Sequence, residues 1–355
     1  MNCPKKQLII GQGLAGSLLA MEFWEKGIEF EVISANLPYS ASNVAAGILN
    51  PVTGKRLALS WRYGEFFDIA EKQYSKLEKI LNVSLFKKLP VLRMFQNEKE
   101  IEAYEKRKQQ PEFKDWLGKR HNPGEFGKEL NDPLGSFEII GAATLDTKQL
   151  VFACREWLLT KVLLIEEKFT YDDLNISEDG VRWADRDYDN AIFCEGYRMQ
   201  NNPWFRSCPL ELAAGEIQTI TIQAQLPPGI LNGGKWVRPV NGDNYLAGAT
   251  YTWENLESPP NEEGLIELKT GIRKFLSADS RVLDRKTGVR PVVKDRKPIL
   301  GTHPRYPQIK IFNGLGSKGS LMAPLLAKQL SEVILIPEKK LDPGIDVRRF
   351  SEFLL

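Results

Sequence analysis

Apolar positions at the start of the chain change period within a few residues. Leu8, Ile9 and Ile10 form a continuous apolar run, Gly11-Gln12-Gly13-Leu14-Ala15-Gly16 breaks it, and the segment from Ser17 to Trp24 follows without further breakers. This order predicts a buried strand, a glycine turn and a helix that ends at Gly27, with a second strand at 30–33. In that context Gly11 permits a tight turn, Gly13 lets the backbone approach a pyrophosphate, and Gly16 lets helix and strand pack closely. The helix N-terminus, around Leu14 and Ala15, would then face the phosphates of a dinucleotide. A glycine turn that only packs well is the structural alternative.

One position departs from the dinucleotide pattern. The end of the second strand ordinarily carries an acid for the ribose hydroxyls, and here Ser34 stands in that place. Glu31 does not replace it, because its mid-strand position turns it away from the turn.

Further along, 35–43 reads as a loop, and 44–56 is rich in small residues with Pro51 and Gly54, which predicts neither a regular helix nor a strand. Phe66, Ile69, Ala70, Tyr74, Leu77, Ile80 and Leu81 recur at helical spacing, so 61–81 is expected to lie as an amphipathic helix against the first sheet. The charge-dense stretch 97–110 predicts a surface helix, 119–135 a loop and 137–140 a strand. Asp146 or Thr147 is placed to cap a helix over 149–159. Strands are expected at 162–166 and 180–183, and a buried one from Asn190 runs into Gly196.

The pattern then changes. Residues 215–222 and 235–239 alternate apolar and polar, and 245–251 follows a turn at Asn241-Gly242-Asp243, as in antiparallel strands of a half-exposed sheet. After 287–301 comes a strand at 309–313, then a second glycine turn, Gly314-Leu315-Gly316-Ser317-Lys318-Gly319-Ser320, opening a helix over 321–335. Its N-terminus is suited to an anion. The fold class is therefore mixed α/β, with a discontinuous Rossmann-like domain (1–85, 141–209 and 286–355) and a second, antiparallel-sheet domain (86–140 and 210–285).

Composition narrows this only slightly. The chain has 355 residues, 42% hydrophobic and 26% charged, which suits a globular protein of two units. A strand beginning near Gln7 leaves no room for a cleaved signal peptide, and no apolar run reaches the roughly twenty residues of a membrane helix, so a cytoplasmic protein is expected. Cys3, Cys154, Cys194 and Cys208 are scattered with no paired spacing, which indicates neither a metal site nor a disulfide framework. The net charge is +2, and basic clusters such as Lys5-Lys6, Lys55-Arg56, Lys106-Arg107-Lys108 and Arg348-Arg349 permit a nucleic-acid partner without requiring one.

The two glycine turns, the small-residue loop Ala45-Ala46-Gly47, the strand into Gly196 and the block Gly288-Val289-Arg290-Pro291 with Asp295 and Pro298 together resemble the D-amino-acid oxidase family of FAD-dependent amine oxidoreductases. The resemblance extends over nearly the whole chain. Within the family, the terminal turn is closer to the oxidase domain of the bifunctional enzyme that modifies the tRNA wobble uridine than to glycine oxidases, which carry an arginine where Ser317 stands.

This resemblance implies FAD as cofactor and an amine as substrate: an amino acid, or the carboxymethylaminomethyl group of a modified tRNA nucleoside, with tRNA as a possible partner and no membrane or metal involved. It implies that Arg290 pairs with the substrate carboxylate, that Lys318 adds charge or helps activate oxygen, and that Tyr251, with Trp253, lines the pocket. Cofactor contacts are implied at Gly11, Gly13, Leu14, Ala15, Gly16, Ser34, Ser42, Ala45, Ala46, Gly47 and Gly196, and at Gly314, Gly316, Ser317, Lys318 and Gly319. Asn50 and Lys55 are secondary polar candidates. His121 and His303 lie in loop-like contexts and are not expected to carry the chemistry. Two alternatives stand beside this reading: a nicotinamide-dependent dehydrogenase, and a flavin- or nucleotide-binding protein without catalysis.

Overall fold

A computed structural model describes residues 6–35, 39–336 and 338–354; Cys3, Lys5 and part of the 35–43 loop lie outside the described residues. The first sheet has six strands in the order Leu164–Ile165, Glu29–Ile33, Lys6–Ile10, Asn190–Phe193, Ile309–Asn313 and Ile299–Thr302. All neighbours run parallel except the last pair, which is antiparallel. Alternation within each strand feeds two cores. Ile9 and Ile192 face one layer, together with Leu18, Phe23, Phe66, Tyr74 and Leu326 from the helices. Leu8, Ile10, Ala191 and Phe193 face the other, closed by Val181, Trp183 and Tyr188 of a small three-stranded sheet. Burial on both faces explains why these strands read as unbroken apolar runs. Truncating a fully buried side chain such as Leu18 to alanine costs about 2–5 kcal/mol in settings of this kind.

Four helices pack on the first core: Leu14–Glu25, Tyr63–Leu81, Thr147–Thr160 and Gly319–Leu335. The Asp146 side chain caps the third of them, accepting from the Gln149 amide. Pro324 sits inside the last helix and has no N–H to offer the carbonyl of Ser320, one turn earlier. The Tyr74 hydroxyl supplies the missing donor at 2.7 Å from that oxygen, which fixes the helix's first turn against Tyr63–Leu81.

The second sheet has eight strands in the order Ser280–Val293, Leu210–Ile222, Asn244–Gly248, Trp236–Asn241, Ile230–Asn232, Val91–Met94, Ser136–Ile139 and Leu117–His121. It is antiparallel throughout except where Ile230–Asn232 runs parallel to Val91–Met94.

Several local expectations need correction. Part of the expected 119–135 loop is an edge strand, Leu117–His121, whose charged Lys119 and Arg120 face solvent while Leu117 and His121 are buried. Helix Glu262–Arg273 was not anticipated; Asn261 caps it by accepting from the Gly264 amide, and Leu268 and Ile272 bury its inner face. The strand expected at 162–166 shrinks to Leu164–Ile165 because Val162 takes a left-handed turn with φ +56°. The 35–56 region contains a single helical turn, Ala41–Val44, and the short strands Ile48–Leu49 and Val52–Thr53.

Candidate active site

At the first glycine turn the backbone has no room for side chains. Gly11 has φ +102°, and a Cβ there would lie 2.6 Å from the Cys194 carbonyl oxygen. At Gly16 a Cβ would lie 1.9 Å from the Gly11 carbonyl oxygen, so this glycine serves strand–helix packing. Gly13 is the N-cap of helix Leu14–Glu25 and gives it no side-chain cap. The hydroxyl of Ser42 accepts from the Leu14 amide at 2.9 Å, and that of Ser34 accepts from the Gln12 amide at 3.2 Å. Ser34 thus steadies the turn from the position where an acid was expected. The Gln12 side chain, which sequence reasoning missed, donates to Ser17 Oγ and to the Val151 carbonyl, tying the turn to helix Thr147–Thr160.

The small-residue loop is gripped through its carbonyls. Thr147 Oγ1 donates to Ala45, Arg238 Nε donates to Ala46 at 2.8 Å, and the Leu145 amide donates to Gly47 at 2.8 Å. Gly47 has φ +66°, and a Cβ would stand 1.8 Å from the Leu145 oxygen. Arg238 is buried, and that burial lowers its pKa. Its role was not legible, because the loop it holds is nearly two hundred residues away in sequence, a separation of 192.

At the other end of the chain, Lys318 is the N-cap of helix Gly319–Leu335, which likewise has no side-chain cap. Its Nζ donates to Ser60 Oγ at 3.2 Å, and burial pushes its pKa down. The Gly316 amide donates to the Pro291 carbonyl at 3.1 Å, coupling this turn to the segment that carries Arg290.

Arg290 lies on strand Ser280–Val293 opposite Ala213. A Cβ on Gly215 would fall 2.3 Å from Arg290 Nη1, so the guanidinium occupies space that glycine leaves open. The guanidinium carbon stands 4.5 Å from the centre of the Tyr251 ring, and Nη1 donates to the Ala214 carbonyl at 3.4 Å. Burial lowers its pKa, and among the described residues no Asp or Glu pairs with it.

These features open onto one cavity of about 1480 Å3. It exceeds the roughly 300–1,000 Å3 usual for a small-molecule pocket. Gly11, Gly13, Leu14, Ala15, Ser34 and Ser42 line one part of it. Ala45, Ala46, Gly47, Asn50 and Gly196 line it further along, as do Tyr251, Arg290, Gly316, Ser317, Lys318 and Gly319. Gly16 and Gly314 lie outside the lining: Gly16 packs on Gly11, and Gly314 packs on Val293 and Ile299. Lys55 is exposed and Trp253 is 69% exposed, and neither lines the cavity.

The histidines also lie elsewhere. His121 meets Glu125 and Glu138, while His303 accepts from the amides of Arg305 and Tyr306. Glu195 lines the cavity beside Gly196 and was missed. Burial raises its pKa against the hydrogen bonds it accepts from Tyr171 and Asn202.

The model of the family described as DAO, FAD dependent oxidoreductase, matches residues 6–333. This chain belongs to that family. As a DAO-family FAD-dependent oxidoreductase it is an enzyme, which sets aside the non-catalytic and nicotinamide-dependent alternatives. It is 23% identical over 382 residues to the uncharacterized oxidoreductase YurR of Bacillus subtilis (strain 168), covering 95% of this chain and 97% of that one. It is 24% identical over 390 residues to the tRNA 5-methylaminomethyl-2-thiouridine biosynthesis bifunctional protein MnmC of Aromatoleum aromaticum (strain DSM 19018 / LMG 30748 / EbN1), covering 97% of this chain but 59% of that protein. Its fold is similar to the crystal structure of glycine oxidase from Geobacillus kaustophilus, with a TM-score of 0.81, 16% identity and coverage of 96% and 97% of the two chains.

The residues of this DAO-family cavity fit FAD. Two helix N-termini whose N-cap residues give no side-chain cap, at Leu14 and at Gly319, meet the same cavity; Ser42 takes the Leu14 amide of the first, and each helix keeps further first-turn amides for an anion. The turn at Gly11 and the loop at Gly47, both at positive φ and packed against backbone on their far side, present bare backbone to the cavity. Among the described residues no group of three or more His, Cys, Asp or Glu side chains is placed to hold a metal ion, and no helix is long and apolar enough to cross a membrane.

Proposed function

We propose that the chain oxidises the C–N bond of an amine that carries a carboxylate, either an amino acid or the carboxymethylaminomethyl-uridine of tRNA. The observation that carries this reading is Arg290, a half-buried guanidinium with no acidic partner among the described residues, facing the cavity beside Tyr251. A planar fork of this kind suits a carboxylate, which would restore the charge balance that burial disturbs. FAD, when bound, supplies the acceptor for the hydride that leaves the carbon beside nitrogen.

The remaining work falls to the chain's own groups. Arg290 holds the carboxylate and the Tyr251 ring fixes the plane of its guanidinium. The first turn of helix Gly319–Leu335 offers free amides and the positive end of its dipole, worth about 0.3–1 kcal/mol to a negative charge and up to ~2 kcal/mol where partly buried. Lys318 adds a positive charge at the same turn. Gly11, Gly13, Leu14, Ala15, Ser34 and Ser42 would hold the diphosphate and adenosine, while Ala45, Ala46, Gly47, Gly316, Ser317 and Gly319 would border the ring system. The amine loses a hydride from carbon and a proton from nitrogen, and water hydrolyses the resulting imine to a carbonyl compound and a shorter amine.

The same reading assigns cofactor binding to 1–85, 141–209 and 286–355 and substrate binding to 86–140 and 210–285, in a cytoplasmic protein. Strand Ser280–Val293 runs through the 285/286 boundary, so Arg290 would stand on an element that joins the two units. The test is anaerobic addition of glycine, sarcosine or tRNA bearing the carboxymethylaminomethyl group to FAD-loaded protein, followed as loss of flavin colour. Bleaching by one of them is expected. Bleaching by tRNA should weaken steeply as salt rises, whereas bleaching by a free amino acid should not. FAD-loaded protein that no carboxylate-bearing amine bleaches would overturn the reading.

A further inference from the structure

Across the second sheet, Ile217, Gly248, Trp236 and Asn232 stand in register on four neighbouring strands. Ile217, Trp236 and Asn232 line the cavity, and Gly248 lies between them. A Cβ on Gly248 would meet Trp236 Cζ2 at 2.6 Å and Ile217 Cγ1 at 3.2 Å. The benzo edge of the indole therefore occupies the space in which any side chain at 248 would stand, braced by Ile217. The indole is held in place as part of the cavity wall rather than free to swing through it. Three residues after Gly248 comes Tyr251, whose ring carries the Arg290 guanidinium. Ile230 and Val91, paired across adjacent strands, extend the apolar wall beyond the indole.

Glycine or sarcosine bound at Arg290 would leave such a wall uncovered. A rigid aromatic surface flanked by branched apolar side chains gains most from a flat apolar partner. Resting on the carboxylate-binding role of Arg290, we propose that the amine oxidised here carries a planar ring as its second large group, and that Trp236 recognises that ring. Trp236 is then a specificity-determining residue, and Gly248 is the position that makes room for it.

The test uses FAD-loaded protein and three thioether carboxylates that mimic the amine without being oxidised: (methylthio)acetate, (benzylthio)acetate and (cyclohexylmethylthio)acetate. Binding is read from perturbation of the flavin spectrum. The benzyl ligand should bind about three- to tenfold more tightly than both others, a preference Trp236→Phe keeps and Trp236→Leu removes. A benzyl ligand no tighter than the cyclohexylmethyl one, or a preference that survives in Trp236→Leu, overturns the proposal. The wild-type series decides the matter even where Trp236→Leu does not retain FAD. Failure of the carboxylate reading shows separately, as unchanged affinity of Arg290→Ala for (methylthio)acetate.

Discussion

The guanidinium of Arg290 fills the space that the missing side chain of Gly215 leaves open, with Nη1 2.3 Å from where a Cβ would stand. That Cβ would also lie 2.4 Å from the Thr250 carbonyl oxygen, so an alanine there meets fixed backbone as well as the guanidinium, which must move away. Gly215→Ala should therefore weaken binding of small carboxylates to the FAD-loaded protein by about tenfold or more, in the range expected when a charged contact is displaced. FAD content should change little. Unchanged carboxylate affinity in Gly215→Ala would mean that the guanidinium does not need this position.

Tyr74 and Ser320 form a second such pair. Because Pro324 cannot donate to the Ser320 carbonyl, Tyr74→Phe leaves that buried acceptor without a donor. The loss should cost about 1–3 kcal/mol. A denaturation midpoint equal to that of the wild type would contradict this.

Gly47 lies at φ +66° against the Leu145 oxygen. An alanine there meets both the left-handed strain, about 1–2 kcal/mol, and a direct clash. Gly47→Ala should purify with less FAD per chain and melt earlier. Full FAD content with an unshifted melting temperature would show that the loop accommodates a side chain.

Lys318 gives the pH dependence. Burial disfavours its charged form, so the folded pKa lies below the ordinary 10.5. Any step that needs the ammonium is then supported at low pH and fades as pH rises through that depressed value. The pH profile of turnover should show an alkaline decline beginning below 10.5 that is absent in Lys318→Met. Superimposable profiles would remove Lys318 from the reaction.

Where sequence and structure agree, the signal was local. The run Leu8–Ile10, the turn at Gly11 and the helix after it lie within one short segment, and both faces of the strand are buried, so the apolar pattern alone was legible. The pairing of Arg290 with Gly215 was not, because it depends on the register of two long antiparallel strands. Strand Ser280–Val293 was not legible as a strand, since its first residues form an exposed edge and lack alternation. Helix Glu262–Arg273 did carry a readable signal that went unused: Asn261 at the cap, Glu262 and Glu263 in the first turn, and Leu268 and Ile272 on one face. Glu195 could be placed at a strand end, but its partners Tyr171 and Asn202 come from separate turns.

The most direct test of the account is anaerobic titration of FAD-loaded wild type and Arg290→Ala with whichever carboxylate-bearing amine bleaches the flavin best. The account predicts that the variant retains FAD but needs about 30-fold or more substrate for half-maximal bleaching, as loss of a charged contact to the substrate implies. Equal bleaching of the two proteins at the same substrate concentration would contradict it.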